Sequence, residues 1–352
     1  MKIGIITFHW ATNYGAVLQA FALQEYLKEK GHVVEIIDYK PSRVVYLRFI
    51  GNIRRLSFVE IVREFKINRF RKQYLNLSAE RFKNSAALIK AGNDYDVFIC
   101  GSDQIWNESF TLCAEGGPTL SYFIDFVKDD KPRIAYAASF GTDKLSPKVV
   151  ELITPELRKF KSISVRENTG VEILRKINIE STLVLDPTLL LDSEVFKVLI
   201  AGVKTEKEYK LFSHIININQ LTAENIRSFI CENYFKQEKN NQYAGEPIEV
   251  LEWLLCIREA QLVITNSYHG VIFSIIYHTP FIVVPVEGSN MNNRIATLLC
   301  GLGLENRIVD CVDKMKINLL REEQIKWSNV EAKLKVLREN SEKFLKNSMN
   351  GL

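Results

Sequence analysis

A chain of 352 residues is longer than one hydrophobic core usually supports, and its composition, 47% hydrophobic and 25% charged, excludes a disordered or fibrous protein. The formal net charge of +4 is too small at this length to be the footprint of a nucleic-acid binder. The six cysteines (Cys100, Cys113, Cys231, Cys256, Cys300 and Cys311) stand singly, with no C-x-x-C pair and no histidines at zinc spacing, so neither a metal site nor a disulfide frame is expected.

From the N-terminus, KIGIIT (residues 2–7) is a short β-rich run, and Asn13-Tyr14-Gly15 and Gln19 break the apolar stretch before any signal-peptide cleavage site, so it reads as a core strand. Residues 15–29 place Ala16, Leu18, Phe21, Ala22 and Leu27 at helical spacing with Gly31 just beyond, and HVVEIIDY follows. Such a β-α-β unit requires a parallel sheet with its crossover helix on one face. Between residues 40 and 90 the pattern loosens. Thirteen lysines and arginines, from Lys40 to Lys90, are set against only Glu60, Glu64 and Glu80, with apolar residues interleaved. This predicts a basic helical insertion, which is either an ordinary solvated face or a surface for anionic headgroups or a lipid-linked substrate.

Short apolar runs at Val97–Cys100, Ile134–Ala138, Ile163–Val165 and Thr182–Leu185 have the character of buried parallel strands and complete a first lobe over 1–190. A second lobe over 191–327 restarts with a strand at Tyr209–Ile218. It continues with helices at Thr222–Phe235 and Pro247–Glu259, a strand at Leu262–Thr265, a helix from Gly270 and a strand at Phe281–Pro285. The last segment, 328–352, reads as a charged amphipathic helix. The apolar stretch Val271–Val286 is interrupted by His278 and Pro280 and is too short to span a bilayer. The expected fold class is therefore α/β: two doubly wound Rossmann-like lobes facing a cleft, similar to the B-type glycosyltransferases, in a cytoplasmic enzyme acting on a small anionic substrate.

Four polar constellations follow predicted strands, where open α/β sheets bind ligands. Thr7–Ala16 leads into a helix whose free N–H groups can hold an anion, with Asn13, Tyr14 and Gly15 at its start; His9 reads as a satisfied polar residue, and Trp10 as a lid or a stacking platform for a sugar. In Gly101–Asn107, Ser102, Asp103, Gln104, Trp106 and Asn107 offer more polar capacity than a helix cap needs, and Gly101 would let the backbone approach a ligand. In Ser162–Asn168, Arg166 at a strand end could grip a carboxylate or phosphate with two parallel hydrogen bonds, or pair with Glu167. In Ile264–Val271 a polar knot, Ser267-Tyr268-His269-Gly270, opens a helix. His269, able to exchange a proton near neutral pH beside free N–H groups, is the best single catalytic candidate; His278 looks structural.

The ordered set NYGAVLQAFAL, GSDQIWN, IAYAASFG, SVRE, LDPTLLL and TNSYHG, from residue 13 to residue 270, resembles the polysaccharide pyruvyl transferase family. The resemblance implies phosphoenolpyruvate as donor, with no other cofactor and no metal. It also implies a sugar of a capsule or exopolysaccharide, or of its polyprenyl-pyrophosphate-linked precursor, as acceptor, and a pyruvate ketal as product. Protonation of the donor's methylene carbon, attack by a hydroxyl and loss of phosphate need an acid, a base and an anion clamp, roles open to His269, Asp103 and Arg166 respectively. Ser139, in IAYAASFG, joins the substrate-binding set. Family members often carry arginine and leucine before the histidine and glycine, where this chain has Ser267 and Tyr268; Arg294 is the chosen replacement for that arginine. A lipid-linked acceptor implies peripheral contact with the inner face of the membrane. Two other classes share the architecture: a sugar-nucleotide-dependent glycosyltransferase, and a glycan-binding protein without activity.

Overall fold

The computed structural model describes residues 1–42, 58–204, 211–216, 242–243, 247–284, 292–309 and 323–352. The helix expected at 222–235, the basic residues Arg43, Arg48, Arg54 and Arg55, and the end of the strand expected at 281–285 lie outside these residues. Two compact units are formed, one from Met1–Leu191 with Val336–Leu352, the other from Asp192–Lys335.

The first unit holds a seven-stranded, wholly parallel sheet: β1 (Lys2–Ile6), β2 (Val33–Tyr39), β3 (Leu77–Phe82), β4 (Val97–Gly101), β5 (Arg133–Ala138), β6 (Ser162–Val165) and β7 (Thr182–Leu183), in the order β3-β2-β1-β4-β5-β6-β7. The chain order reverses between β1 and β4, whose registers run from Ile3 opposite Val97 to Ile6 opposite Cys100. This topological switch point is where a doubly wound sheet opens a crevice at the carboxyl ends of its strands. β1, β4 and β5 are buried almost throughout, as strands covered on both faces must be.

Helices α1 (Tyr14–Glu29), α2 (Phe58–Tyr74), α3 (Glu108–Cys113), α4 (Pro147–Leu157) and α5 (Asn168–Lys176) belong to this unit. α1 is buried on nearly all sides, and it lies so close to β4 that a Cβ at Gly101 would stand 2.3 Å from Leu23 Cδ2. The glycine expected to admit a ligand therefore admits a helix. Within the segment expected to be a helical insertion, α2 is followed by β3, an edge strand paired with β2, and by a single helical turn at Ser85–Leu88.

β5 carries an irregularity between Ala135 and Ala138, with Ala137 in the left-handed region at φ +52°. The backbone groups freed by the bulge are taken up by a side chain: Ser164 Oγ accepts from Ala137 N (3.1 Å) and donates to Ala135 O (2.9 Å).

The second unit holds a four-stranded parallel sheet, β8 (Leu211–His214), β9 (Gln242–Tyr243), β10 (Leu262–Thr265) and β11 (Phe281–Val283), in the order β11-β10-β8-β9. Its helices are α6 (Ser193–Ile200), α7 (Val250–Glu259), α8 (Tyr268–Ile276) and α9 (Asn292–Leu302). Phe212, Trp253, Phe273 and Phe196 form its core, with ring centroids 5.1 to 6.3 Å apart in edge-on contacts. A last helix, α10 (Trp327–Met349), contributes its residues to Lys335 to this unit and those from Val336 onward to the first. Among the described residues no helix is long and apolar enough to cross a membrane.

Candidate active site

In the first unit the loops after β1, β4, β5 and β6 interlock at the switch point. Asn13 caps α1, its Oδ1 accepting from Gly15 N (2.8 Å), while Tyr14 is buried. Thr7 Oγ1 accepts from Gln19 Nε2 (2.9 Å) and donates to Ser102 O (3.3 Å), tying the β1 loop to the β4 loop. Ser102 and Asp103 both have positive φ, +25° and +68°, which is costly backbone for residues other than glycine and is characteristic of functional turns.

What holds that turn is a buried charge cluster. Arg166, at the end of β6, donates from one terminal nitrogen to Asp186 Oδ2 (2.6 Å) and Ser102 Oγ (3.1 Å), and from the other to Asp103 Oδ1 (3.1 Å). Asp186 is saturated in turn by Ser102 Oγ (2.8 Å), Thr188 Oγ1 (2.8 Å) and Thr188 N (3.1 Å). The side chains of Arg166 and Asp186 are closed to solvent, and Asp103 is the member that reaches it, with 18% of its side chain exposed. The expectation that Arg166 grips an anionic substrate directly is therefore corrected: burial commits its guanidinium to fixing Asp103 and Ser102.

Around this cluster, Ser139 N donates to Asp103 O (3.0 Å), and Phe140 N donates to Glu167 Oε1 (3.1 Å). Asn107 caps α3 through Ser109 N (3.0 Å) and donates to Phe140 O (3.2 Å); Gln104 N donates to Asp103 Oδ1 (2.9 Å). Trp106, expected at the substrate, is instead core: it is fully buried, stacked on Phe123 at 5.4 Å, with Nε1 donating to Tyr122 O (3.1 Å). Trp10 is likewise core, buried against Phe8 and donating to Tyr122 Oη (2.9 Å), so neither indole is a sugar platform.

The β1 loop has a second support that its sequence did not announce. Arg71 of α2 donates to the carbonyls of His9 (2.8 Å), Trp10 (3.0 Å) and Ala11 (2.8 Å) and pairs with Glu64 (2.8 Å), which in turn accepts from Thr12 Oγ1. Both nitrogens of the buried His9 ring face acceptors, Nε2 at Asp38 Oδ1 (3.1 Å) and Nδ1 at Thr7 O (3.2 Å). Burial nonetheless outweighs those partners and holds the His9 pKa below its ordinary value. For Asp38 burial is also the largest influence and pushes upward, but hydrogen bonds from His9 and Arg81 together prevail and leave its carboxyl below the ordinary range.

In the second unit the polar knot lies at the carboxyl end of β10. Thr265 Oγ1 donates to His214 O and accepts from Ser267 N (2.9 Å), and Asn266 pairs with both backbone groups of Ile216, at 2.8 and 2.7 Å. Ser267 caps α8, accepting from Gly270 N (3.3 Å). A Cβ at Gly270 would stand 2.7 Å from Thr265 Oγ1, so the helix can start this close to the strand only with glycine. Tyr268 and His269 occupy the first turn, their rings edge-on at 5.4 Å, and Arg294 of α9 lies over the Tyr268 ring, 5.7 Å from its centroid. Arg294, Tyr268 and His269, all buried, are thus brought together at a helix N-terminus: a cation, a phenol and an imidazole beside polarised N–H groups. His278, just past the C-terminal end of α8, stacks on Trp327 at 4.9 Å and bonds Glu331 (2.8 Å), a structural setting. Among the described residues no group of three or more His, Cys, Asp or Glu side chains could hold a metal ion.

A family model described as polysaccharide pyruvyl transferase matches residues 13–288, which takes in the loops after β4, β5, β6 and β10 and the start of α1, but not Thr7–Thr12 or Arg294. No curated protein matches the chain. Among solved structures the chain is similar to UDP-N-acetylglucosamine 2-epimerase from Rickettsia bellii (11% identity, TM-score 0.54, covering 99% of this chain and 96% of that one). It is also similar to S. aureus MnaA solved with UDP (11%, 0.52, 100% and 97%). A third is Anabaena Alr3699/HepE in complex with UDP and glucose (8%, 0.50, 97% and 95%). At such identities the likeness concerns the fold alone, and it places both units in the B-type glycosyltransferase-like class that the strand pattern predicts.

Proposed function

The chain belongs to the polysaccharide pyruvyl transferase family, and from that premise we propose that it transfers the pyruvyl group of phosphoenolpyruvate to two hydroxyls of a glycan sugar, forming a ketal and releasing phosphate. The observation that carries this reading is the grouping of His269, Tyr268 and Arg294 at the N-terminus of α8. An anionic donor needs a positive, donor-rich end, and the reaction needs a proton-transferring side chain; that grouping offers a guanidinium, helix N–H groups and an imidazole.

In the proposed cycle His269 delivers a proton to the methylene carbon of the donor, and the charge that develops at its central carbon is attacked by the first sugar hydroxyl. The bond to phosphate then breaks, and the second hydroxyl closes the ring. Of the two hydroxyl protons, one is balanced by the new methyl group and the other leaves with phosphate. Asp103, fixed by Arg166 and partly open to solvent, is the base we assign to the attacking hydroxyl; Arg294 is the donor's counter-charge in place of the arginine the family often carries at Ser267. The remaining residues of the β4 and β5 loops, Gln104, Asn107 and Ser139, shape the acceptor side. The acceptor we expect is a sugar of a cell-surface polysaccharide or its lipid-linked precursor.

The direct test is phosphate release from phosphoenolpyruvate against a panel of galactosides and other sugars, with mass spectrometry of the acceptor. A sugar gaining the mass of a pyruvyl ketal supports the proposal. Turnover of a nucleotide sugar with none of phosphoenolpyruvate would make the protein a glycosyltransferase, and binding of glycans with no turnover of either would make it a lectin.

A further inference from the structure

Near its C-terminal end α10 carries Asn340, Lys343, Phe344, Asn347 and Ser348 at i, i+3, i+4, i+7 and i+8, the spacing of a single helix face. Where a helix packs on a sheet such a stripe is normally apolar. Here it lines a groove of about 1090 Å³, shared with the second half of α5 and with β6 and β7 at the outer edge of the sheet. All of these residues belong to the first unit, and none comes from the loops after β1, β4, β5 or β6. The groove holds hydrogen-bonding capacity that the fold leaves unspent. Asn13, Asn84 and Asn107 each commit their carboxamide to a helix cap, whereas the three asparagines of the groove, Asn178, Asn340 and Asn347, make no side-chain hydrogen bond among the described residues. Ser181 Oγ, which also lines it, is shielded from solvent and has no partner among the described residues, an arrangement that costs stability unless something bonds to it. Three cations face one acid, Glu180. Lys161 donates to Asn350 O and Arg175 pairs with Glu172, so Lys343 is the cation with no partner among the described residues.

We propose that this groove binds an acidic oligosaccharide, a stretch of the glycan already carrying its ketals, apart from the site of reaction. The identity of the glycan rests on the function proposed above, since a pyruvate ketal leaves a carboxylate on each modified sugar. Carboxamides and hydroxyls match the donors and acceptors of sugar hydroxyls, the half-buried Phe344 offers its ring to the apolar face of a sugar, and Lys343 meets the carboxylate. The volume lies above the roughly 300–1,000 Å³ that a single small ligand occupies, as a bound stretch of polymer requires. The open edge of the sheet could instead be thought to invite a peptide strand. However, Val184 N is turned inward to Val165 O and the outward Leu185 N is bonded to Ser341 Oγ, which leaves only Leu183 of β7 open, too short an edge for an added strand.

Affinity electrophoresis of the full chain tests this, in native gels cast with xanthan, a polysaccharide bearing pyruvate ketals, with xanthan stripped of its ketals by mild acid, or with neutral dextran. Retardation should be strongest in intact xanthan, weaker in the stripped polymer and absent in dextran. The double variant Asn340→Ala/Asn347→Ala, which leaves the charge of the protein unchanged, should weaken the apparent affinity by about tenfold, and Lys343→Ala by about fivefold. Asn340, Lys343 and Asn347 are exposed, so thermal unfolding of these variants should stay near that of the parent. His269→Ala, altered only at the candidate active site, should be retarded like the parent. Equal retardation in dextran, none in xanthan, undiminished retardation of the double variant or its loss in His269→Ala would overturn the proposal. A dimer of the free protein that Leu183→Lys dissociates would reassign the groove to a contact between copies. Retention in xanthan without any phosphate release from phosphoenolpyruvate would remove the proposed chemistry and keep the groove, and phosphate release without retention would do the reverse.

Discussion

The Arg166 guanidinium and the Asp186 carboxylate meet at 2.6 Å with neither side chain open to solvent. A buried pair of this kind is a poor source of net stability but is costly to break, because removing one partner strands the other's charge. We predict that Asp186→Ala or Arg166→Ala destabilises the protein by about 3–5 kcal/mol in urea unfolding, and that activity falls because Ser102 and Asp103 lose their hold. An Arg166→Ala protein with unchanged unfolding midpoint and slope would show that the guanidinium is not engaged as described.

His269 stands on the first turn of α8 beside the Arg294–Tyr268 contact. The prediction is that His269→Ala keeps its circular dichroism spectrum but loses turnover on the order of 100-fold or more, as expected when a general acid is removed. Wild-type turnover in the folded variant would take His269 out of the mechanism.

Arg294 should reveal itself in a different parameter. If it neutralises the donor, a charge-assisted contact of about 1.5–3 kcal/mol is lost in Arg294→Ala, which raises the KM for phosphoenolpyruvate by roughly 10- to 150-fold with a smaller change in kcat. Arg294→Lys should recover part of the loss. A KM unmoved by either substitution would leave Arg294 as packing for Tyr268.

The His9–Asp38 pair sets a pH dependence whose sign follows from the directions of its shifts. A histidine with a lowered folded-state pKa is favoured neutral, so its contribution is fully present above the unfolded value of about 6.5 and is lost as pH falls from there through the folded value. Asp38, also lowered, contributes above the unfolded carboxylate range and loses its share only at more acidic pH, as pH falls through its folded value. The melting temperature should therefore begin to decline below about pH 6.5, ahead of carboxylate titration, and His9→Gln should flatten that first decline. Identical profiles for the two proteins would show that His9 takes up its proton equally readily in the folded and unfolded chain.

The central strands and the helices beside them are readable from sequence because burial on both faces imposes short, continuous apolar runs. KIGII, VFIC and LVIT announce themselves in this way, and Gly31 marks the end of α1. β3 is not readable, since LSAERF is half polar, buries only Phe82 fully and is held by backbone pairing with β2, which leaves no trace in side-chain pattern. At the site, strand ends followed by polar clusters locate the loops correctly, but they do not tell which polar group is turned outward. Trp106 turns its indole into the core, Nε1 donating to Tyr122 O (3.1 Å), while its backbone N–H donates to Ser139 O (3.2 Å). Arg166 finds Asp186 twenty positions later, a partner whose only local signal is an Asp before Pro187-Thr188. Arg71 and Asp38 support the first loop from elements whose own patterns give no hint of it.

The last helix gives the chain an order of assembly. Ser341 Oγ accepts from Leu185 N (2.9 Å), Arg338 donates to Leu189 O (2.8 Å), and Phe344 lies against Tyr136 at 6.3 Å, so the unit begun by residue 2 is finished by residues beyond 336. On the ribosome, at about 5–20 residues per second, that unit waits on the order of ten seconds while Asp192–Lys335 is made, and the later-encoded, contiguous unit is the first with all its residues available. During that interval the edge of the nascent sheet near β7, and the surface around Tyr136, Leu185 and Leu189 that α10 later covers, are what a chaperone would find uncovered.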